Sequence, residues 1–91
     1  MLTSIVLIDV AADRIPEAAK AVADIDGVSE VYSVTGDIDL IAMVRVREHD
    51  QLAGIIADQI SKVDGVEQTQ TYIAFQTFSQ HDLESAFSLG L

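Results

Sequence analysis

Alternation and helical periodicity divide the 91 residues into six segments. Residues 2–10 are rich in Ile, Val and Leu and read as a buried strand. Ile15, Ala18, Ala19, Val22 and Ile25 then recur at helical spacing behind Asp13, which reads as an N-cap, with Pro16 tolerated in the first turn. Gly27 stops that helix. Residues 28–35 and 38–47 read as the second and third strands. Leu52, Ile55, Ile56, Ile60 and Val63 mark a second helix ended by Gly65, and residues 66–78 read as the fourth strand.

The order is β-α-β-β-α-β, and an internal echo supports it. "IDGVSEVYSV" from Ile25 and "VDGVEQTQTY" from Val63 both carry Asp-Gly-Val where a helix gives way to a strand. A Gly able to take positive φ, followed at once by a β-branched residue, is the shared physics. Two such halves predict an α+β fold, a ferredoxin-like sandwich with a four-stranded antiparallel sheet and both helices on one face. No linker or low-complexity tract interrupts the chain. Residues 1–78 read as one domain, and 79–91 as a short C-terminal helical extension.

Gly36-Asp37, between two strand patterns, predicts a two-residue hairpin loop. The register that follows sets Thr35 opposite Ile38, Val34 opposite Asp39, Tyr32 opposite Ile41, Glu30 opposite Met43 and Val28 opposite Arg45. Val31, Ile38, Leu40, Ala42, Val44 and Val46 then share the core face. The other face collects Val28, Glu30, Tyr32, Val34, Asp39, Ile41, Met43 and Arg45. That side is too apolar for solvent, and with both helices already placed on the core face its simplest cover is the same face of a second subunit. A two-fold homodimer is expected.

Composition narrows the function classes. A chain this short buries a modest share of its surface, so association would help stabilise it. The net charge is −10, and the five basic residues (Arg14, Lys20, Arg45, Arg47, Lys62) are scattered, so direct contact with nucleic acid or an acidic membrane is disfavoured. There is no cysteine, which excludes disulfides and thiolate metal sites. The N-terminal apolar run lacks a basic flank and is too short to span a bilayer, and the protein reads as cytoplasmic.

Candidate chemistry is sparse. Asp37 suits a turn without further explanation. Asp39 is less easily dismissed, because an ionised carboxylate beside apolar neighbours is costly unless a donor or cation meets it. Asp-x-Asp alone is a weak metal signal, and the ammonium of a small ligand satisfies Asp39 better. Thr69 and Thr71 start the fourth strand with both hydroxyls on one side; Thr favours strands anyway, but the pair also suits a carboxylate or amide. His49 and His81 stand at helix starts without a nucleophile at catalytic spacing. No phosphate loop, zinc motif or nucleophile elbow is present, so neither enzyme activity nor a cofactor is indicated. Residues 79–87, with a capping box from Ser79 to Asp82, place Leu83, Ala86 and Phe87 on one helical face, either closing their own core or docking on a neighbour. Docking, which would help build a larger ring, is slightly favoured because the two main helices already cover the sheet.

"IDGVSEVYSVTGDIDLIAMVRV", followed by "KVDGVEQTQTYIAFQTF", resembles the effector-binding domain of the Lrp/AsnC (feast/famine) transcriptional regulators, also known as the RAM domain. The resemblance covers about residues 2–78. It implies a dimeric αβ-barrel, with dimers joining into tetramers, octamers or larger rings and amino acids held in clefts between neighbouring dimers. The family's Gly-Asp-x-Asp loop falls on Gly36, Asp37 and Asp39, and its Thr-x-Thr on Thr69 and Thr71. Tyr32, Val34 and Thr35 lie at the approach to the loop.

Regulators of this kind usually carry an N-terminal helix-turn-helix domain, whereas this sequence opens directly on a strand and so resembles the stand-alone effector domains. The expectation is a non-enzymatic amino-acid sensor whose effect on DNA runs through mixed oligomers with full-length relatives. A cofactor-independent αβ-barrel enzyme, a monooxygenase or isomerase, is the alternative; it would need a deep pocket with an inward-facing His, Asp or Arg. A scaffold that binds no ligand and only modulates a full-length partner is a third reading.

Overall fold

In the computed structural model, which describes residues 1–78, the chain runs β1 (Leu2–Val10), α1 (Ile15–Ala23), β2 (Val28–Ser33), β3 (Leu40–Val46), α2 (Asp50–Ala53) and β4 (Val66–Ala74). A 3-10 turn, Ala12–Arg14, leads into α1. The strands form one antiparallel sheet in the order β2-β3-β1-β4, the ferredoxin-like arrangement that the β-α-β-β-α-β pattern implies. The capping box read at Ser79, the helix over 79–87 and His81 lie outside the described residues.

One face of the sheet is the core. Ser4, Val6, Ile8 and Val10 of β1 alternate inward beside Leu40, Ala42, Val44 and Val46 of β3, and all eight are buried. Ala18 and Val22 of α1 and Leu52, Ile55 and Ile60 of the second helical run cover them, with Ile15, Ala19, Ile25, Ile56 and Val63 packed around the rim. Each fully buried Ile, Leu or Val contributes roughly 1.5–3 kcal/mol of transfer free energy, so this apolar contact dominates the stability of the sandwich.

Two helix details differ from the sequence expectation. Asp13 does not cap a helix: neither the 3-10 turn nor α1 receives a side-chain cap bond. Past Ala53 the second helix widens into a π-helical stretch, Gly54–Gln59, before a 3-10 turn, Ile60–Lys62. Ile55 and Ile60, five residues apart, would diverge on an α-helix; the wider turn lets both reach the core.

The Asp-Gly-Val echo is geometric as well as sequential. Gly27 and Gly65 take φ of 98° and 96°, and their carbonyls accept from the backbone N–H of Arg45 and Ala11, each at 2.8 Å. Each Val that follows, Val28 and Val66, turns onto the core and precedes a break in the register, at Ser29 on β2 and at Glu67 on β4. The uninterrupted register sets Val28 opposite Arg45 on the open face; the bulge pairs it with Val44 instead.

The rest of the hairpin register holds, with Tyr32 opposite Ile41, Glu30 opposite Met43 and Val31 opposite Ala42. The Val34 N–H reaches the Asp39 carbonyl at 3.0 Å, and the strands part there. Residues 35–38 therefore form a longer loop than the two-residue turn expected, with Gly36 at φ 123°. β4 ends at Ala74, short of the expected 78.

Candidate functional site

The face of the sheet away from the helices is built in rows. Register places Tyr32, Ile41, Leu7 and Gln70 across one row, and Glu30, Met43, Ile5 and Tyr72 across the next. No described element covers this face, so Ile5, Leu7, Ile41 and Met43 are only half-buried and Tyr32 and Tyr72 stand 49% and 50% exposed. Ile5, Leu7 and Tyr72 extend the patch beyond the residues the hairpin alone implies. The run from Ile5 to Ile8, apolar on both faces, hides its inside-outside alternation, and the consecutive polar residues Thr69, Gln70 and Thr71 hide that of β4.

Two polar clusters flank the patch. On the β2–β3 side Arg45 Nη1 meets Glu30 Oε1 at 3.2 Å, and the Tyr32 hydroxyl, then the Arg45 guanidinium, hold the Glu30 carboxyl below the usual carboxylate range. The same Glu30 contact pushes the Tyr32 hydroxyl up. On the β4 side Gln70 Nε2 donates to the Tyr72 hydroxyl at 2.7 Å. Tyrosine at a face with one dry and one polar side is the residue type that interfaces favour.

The sequence-predicted site residues gather at one end of the sheet but not on one face. Thr35, Gly36 and Asp37 are exposed in the β2–β3 loop, with Val34 half-buried at its base. Asp39, also half-buried, has its donor: Oδ2 accepts the Val10 backbone N–H at 2.8 Å, while its own N–H reaches the Ile8 carbonyl at 3.1 Å. Thr69 and Thr71 pair with Ile8 and Val6, which puts their hydroxyls on the helix side of the sheet. Asp39 stands just before β3, with its carboxylate on the Val10 backbone N–H at the end of β1.

The helix side offers little chemistry. Its buried positions are apolar except Ser4, whose hydroxyl donates to the Tyr72 carbonyl at 3.2 Å. His49, exposed, borders an open hollow of about 610 Å³ between the second helical run and β4 rather than a closed cavity. Among the described residues no three His, Cys, Asp or Glu side chains lie close enough to share a metal ion, and no helix is long and apolar enough to cross a membrane.

Comparison with known proteins matches this architecture to one family. Residues 3–83 match the family model of the Lrp/AsnC ligand binding domain. The transcriptional regulator LrpA1 of Halobacterium salinarum is 39% identical over 59 residues, which is 65% of this chain and 42% of that protein. This chain thus spans less than half the length of that regulator. The crystal structure of TTHA0845 from Thermus thermophilus superposes with a TM-score of 0.83 at 38% identity, covering 88% of this chain and all of that one. A feast or famine regulatory protein from M. tuberculosis, solved in complex with L-methionine, superposes with a TM-score of 0.72 at 26% identity over 88% of this chain and 54% of its own. On the family match, the register of its sheet and these relatives, the chain belongs to the Lrp/AsnC ligand-binding domain family.

Proposed function

We propose that this chain is a non-enzymatic module that senses an amino acid and couples its binding to assembly, working in the cytoplasm alongside DNA-binding relatives. The observation that carries the reading is the open sheet face, where Ile5, Leu7, Ile41 and Met43 lie between two tyrosines with both helical layers on the far side. Contiguous apolar surface of this kind calls for a partner, and an isologous sheet-to-sheet dimer covers it with the same residues from each copy. Dimers then join into tetramers, octamers or larger rings.

We infer that sensing and assembly are connected through the predicted site residues. Asp37 and the free oxygen of Asp39 suit an ammonium, with Tyr32, Val34, Thr35 and Gly36 shaping the approach, while Thr69 and Thr71 suit a carboxylate. Thr69 and Thr71 lie on the helix side of the sheet, whereas Asp37 lies in the exposed β2–β3 loop and Asp39 at its end. In this reading a single amino acid draws on both sets from neighbouring subunits, as the family resemblance implies. Ligand and oligomer are then linked, each shifting the other by the same free energy. The L-methionine complex of the M. tuberculosis relative supports this class of effector.

Among the described residues the buried core positions are apolar but for Ser4, which argues against the monooxygenase or isomerase reading. Calorimetry against each standard amino acid, with light scattering on the same samples, tests the sensing role. The expected result is one or a few ligands that bind and change the assembly mass. Silence from all of them, with unchanged mass, overturns it.

A further inference from the structure

β3 begins beside the loop that carries Asp37 and Asp39 and runs to Val46, so the end of the sheet where β3 stops is the end away from that loop. There the turn before β2 and the start of α2 border a pocket of about 300 Å³. Its floor is apolar, Val46 and Ile55, both buried. Gly27 keeps the floor open, because a Cβ there would stand 2.5 Å from Ile55 Cδ1 and 3.5 Å from Val46 Cγ1. Asp26, Arg47 and Gln51, all exposed, make its rim.

The three rim groups are poised but unspent. Of the three arginines, Arg14 pairs with Glu17 and Asp64 and Arg45 with Glu30, whereas among the described residues no ion pair holds Arg47. Asp26 is in none of these pairs either, so two opposite charges border one pocket without meeting. Gln51 is fixed in place, its Oε1 accepting the backbone N–H of Arg47 and of Glu48, each at 3.0 Å. Its Nε2 is thereby a positioned donor. A plain anion would be repelled by Asp26 and a plain cation by Arg47; a small zwitterion satisfies both. A few convergent polar groups around an apolar floor are the make-up of a small-molecule site, and the volume lies at the lower end of the range for such sites.

We propose that this pocket is a second site for an aliphatic α-amino acid, at the opposite end of the sheet from the loop of Asp37 and Asp39. The Arg47 guanidinium and Gln51 Nε2 take the carboxylate, Asp26 takes the ammonium, and the side chain lies over Val46 and Ile55. The proposal extends the amino-acid-sensing reading, on which it rests for the class of effector but not for the residues.

Calorimetry on the full chain tests it with three probes: L-leucine, isocaproate, which lacks the amine, and isoamylamine, which lacks the carboxylate. Asp39→Asn is the background, because it weakens the loop site and leaves this pocket untouched. L-leucine is expected to bind, and each analogue to bind about tenfold or more weakly, the loss of one charge-assisted contact. Arg47→Met should weaken L-leucine by a similar factor with an unchanged far-UV spectrum, since Arg47 is exposed, and Arg47→Lys should recover part of the loss. Silence from L-leucine, an analogue that binds as tightly as L-leucine, or an affinity indifferent to Arg47→Met each overturns the proposal. Failure of the loop site reads differently. Binding that is equal in the parent and in Asp39→Asn but lost with Arg47→Met supports the pocket and leaves Asp39 without a role, whereas binding lost with Asp39→Asn alone overturns the pocket and leaves the loop site standing.

Discussion

The Asp39 carboxylate accepts the Val10 backbone N–H at 2.8 Å, so the residue with the strongest claim to a ligand also ties the start of β3 to the end of β1. A half-buried carboxylate needs such a donor, and here the backbone supplies it. Asp39→Ala removes the bond and leaves the Val10 N–H without its partner, at an expected loss of about 1–3 kcal/mol in urea unfolding. A loss of ligand binding in that variant would therefore be ambiguous. Asp39→Asn keeps an acceptor oxygen and removes only the charge. It should unfold within about 1 kcal/mol of the parent and yet bind the amino acid about tenfold or more weakly by calorimetry. Equal ligand affinity in Asp39→Asn would remove this carboxylate from the binding site and leave Asp37 as the candidate.

The paired glycines make a graded stability prediction. A Cβ on Gly65 would stand 2.7 Å from Arg14 Cβ, an atom next to the backbone that cannot swing away. On Gly27 it would meet Ile55 Cδ1 at 2.5 Å, the far end of a side chain that can rotate, and on Gly36 it would meet nothing within 4 Å. All three have positive φ, so each Ala variant carries backbone strain of about 1–3 kcal/mol. Gly36→Ala should cost only that, Gly27→Ala somewhat more, and Gly65→Ala the most. Denaturation midpoints rank the three, and a Gly36→Ala variant as unstable as Gly65→Ala would contradict the steric reading.

Much of this fold was legible because its signals are local. Helical spacing picked out Ile15, Ala18, Ala19, Val22 and Ile25, and the hairpin register correctly paired Tyr32 with Ile41 and Glu30 with Met43. The bulges at Ser29 and Glu67 escaped because an inserted residue leaves the surrounding alternation intact on either side, and only the repeated Gly-Val step hints that the Val turns inward. Ile5 and Leu7 escaped for a different reason: Thr3 and Asp9 mark the outer face only near the ends of β1, and between them the run from Ile5 to Ile8 is apolar on both faces. The contact of Asp39 with Val10 joins the start of β3 to the end of β1, a pairing of distant segments that no local pattern carries.

The Tyr32, Glu30 and Arg45 cluster predicts a modest pH response. The folded carboxyl of Glu30 titrates below its ordinary value, so its contribution is present above that value and is lost as pH falls through the folded one, on the acid side of the usual carboxylate range. The Tyr32 hydroxyl is raised, so its contribution is present below the ordinary tyrosine value and is lost as pH rises through the folded one. Because Tyr32 is the larger cause of the Glu30 shift, Tyr32→Phe should move the Glu30 titration up further than Arg45→Met, followed by carboxyl NMR. The reverse order would mean that the ion pair, not the hydroxyl, governs this carboxylate.

Met43 is the residue through which to test the open face. It sits mid-row between Glu30 and Ile5, half-buried within the subunit and on the side that no helix covers. If a second copy packs on this face, Met43→Asp places a carboxylate where two sheets meet and, through the two-fold axis, introduces it on both copies. Burying those charges without partners would weaken association by about 2 kcal/mol or more, roughly thirtyfold. Light scattering should show the monomer mass at concentrations where the parent is oligomeric, with an unchanged far-UV spectrum because the core on the other side is untouched. Ala21→Asp, on the exposed side of α1, should leave the mass as it was. If Met43→Asp keeps the parental mass, the face is covered by something other than a second copy, and an effector cleft assembled from two subunits loses its foundation.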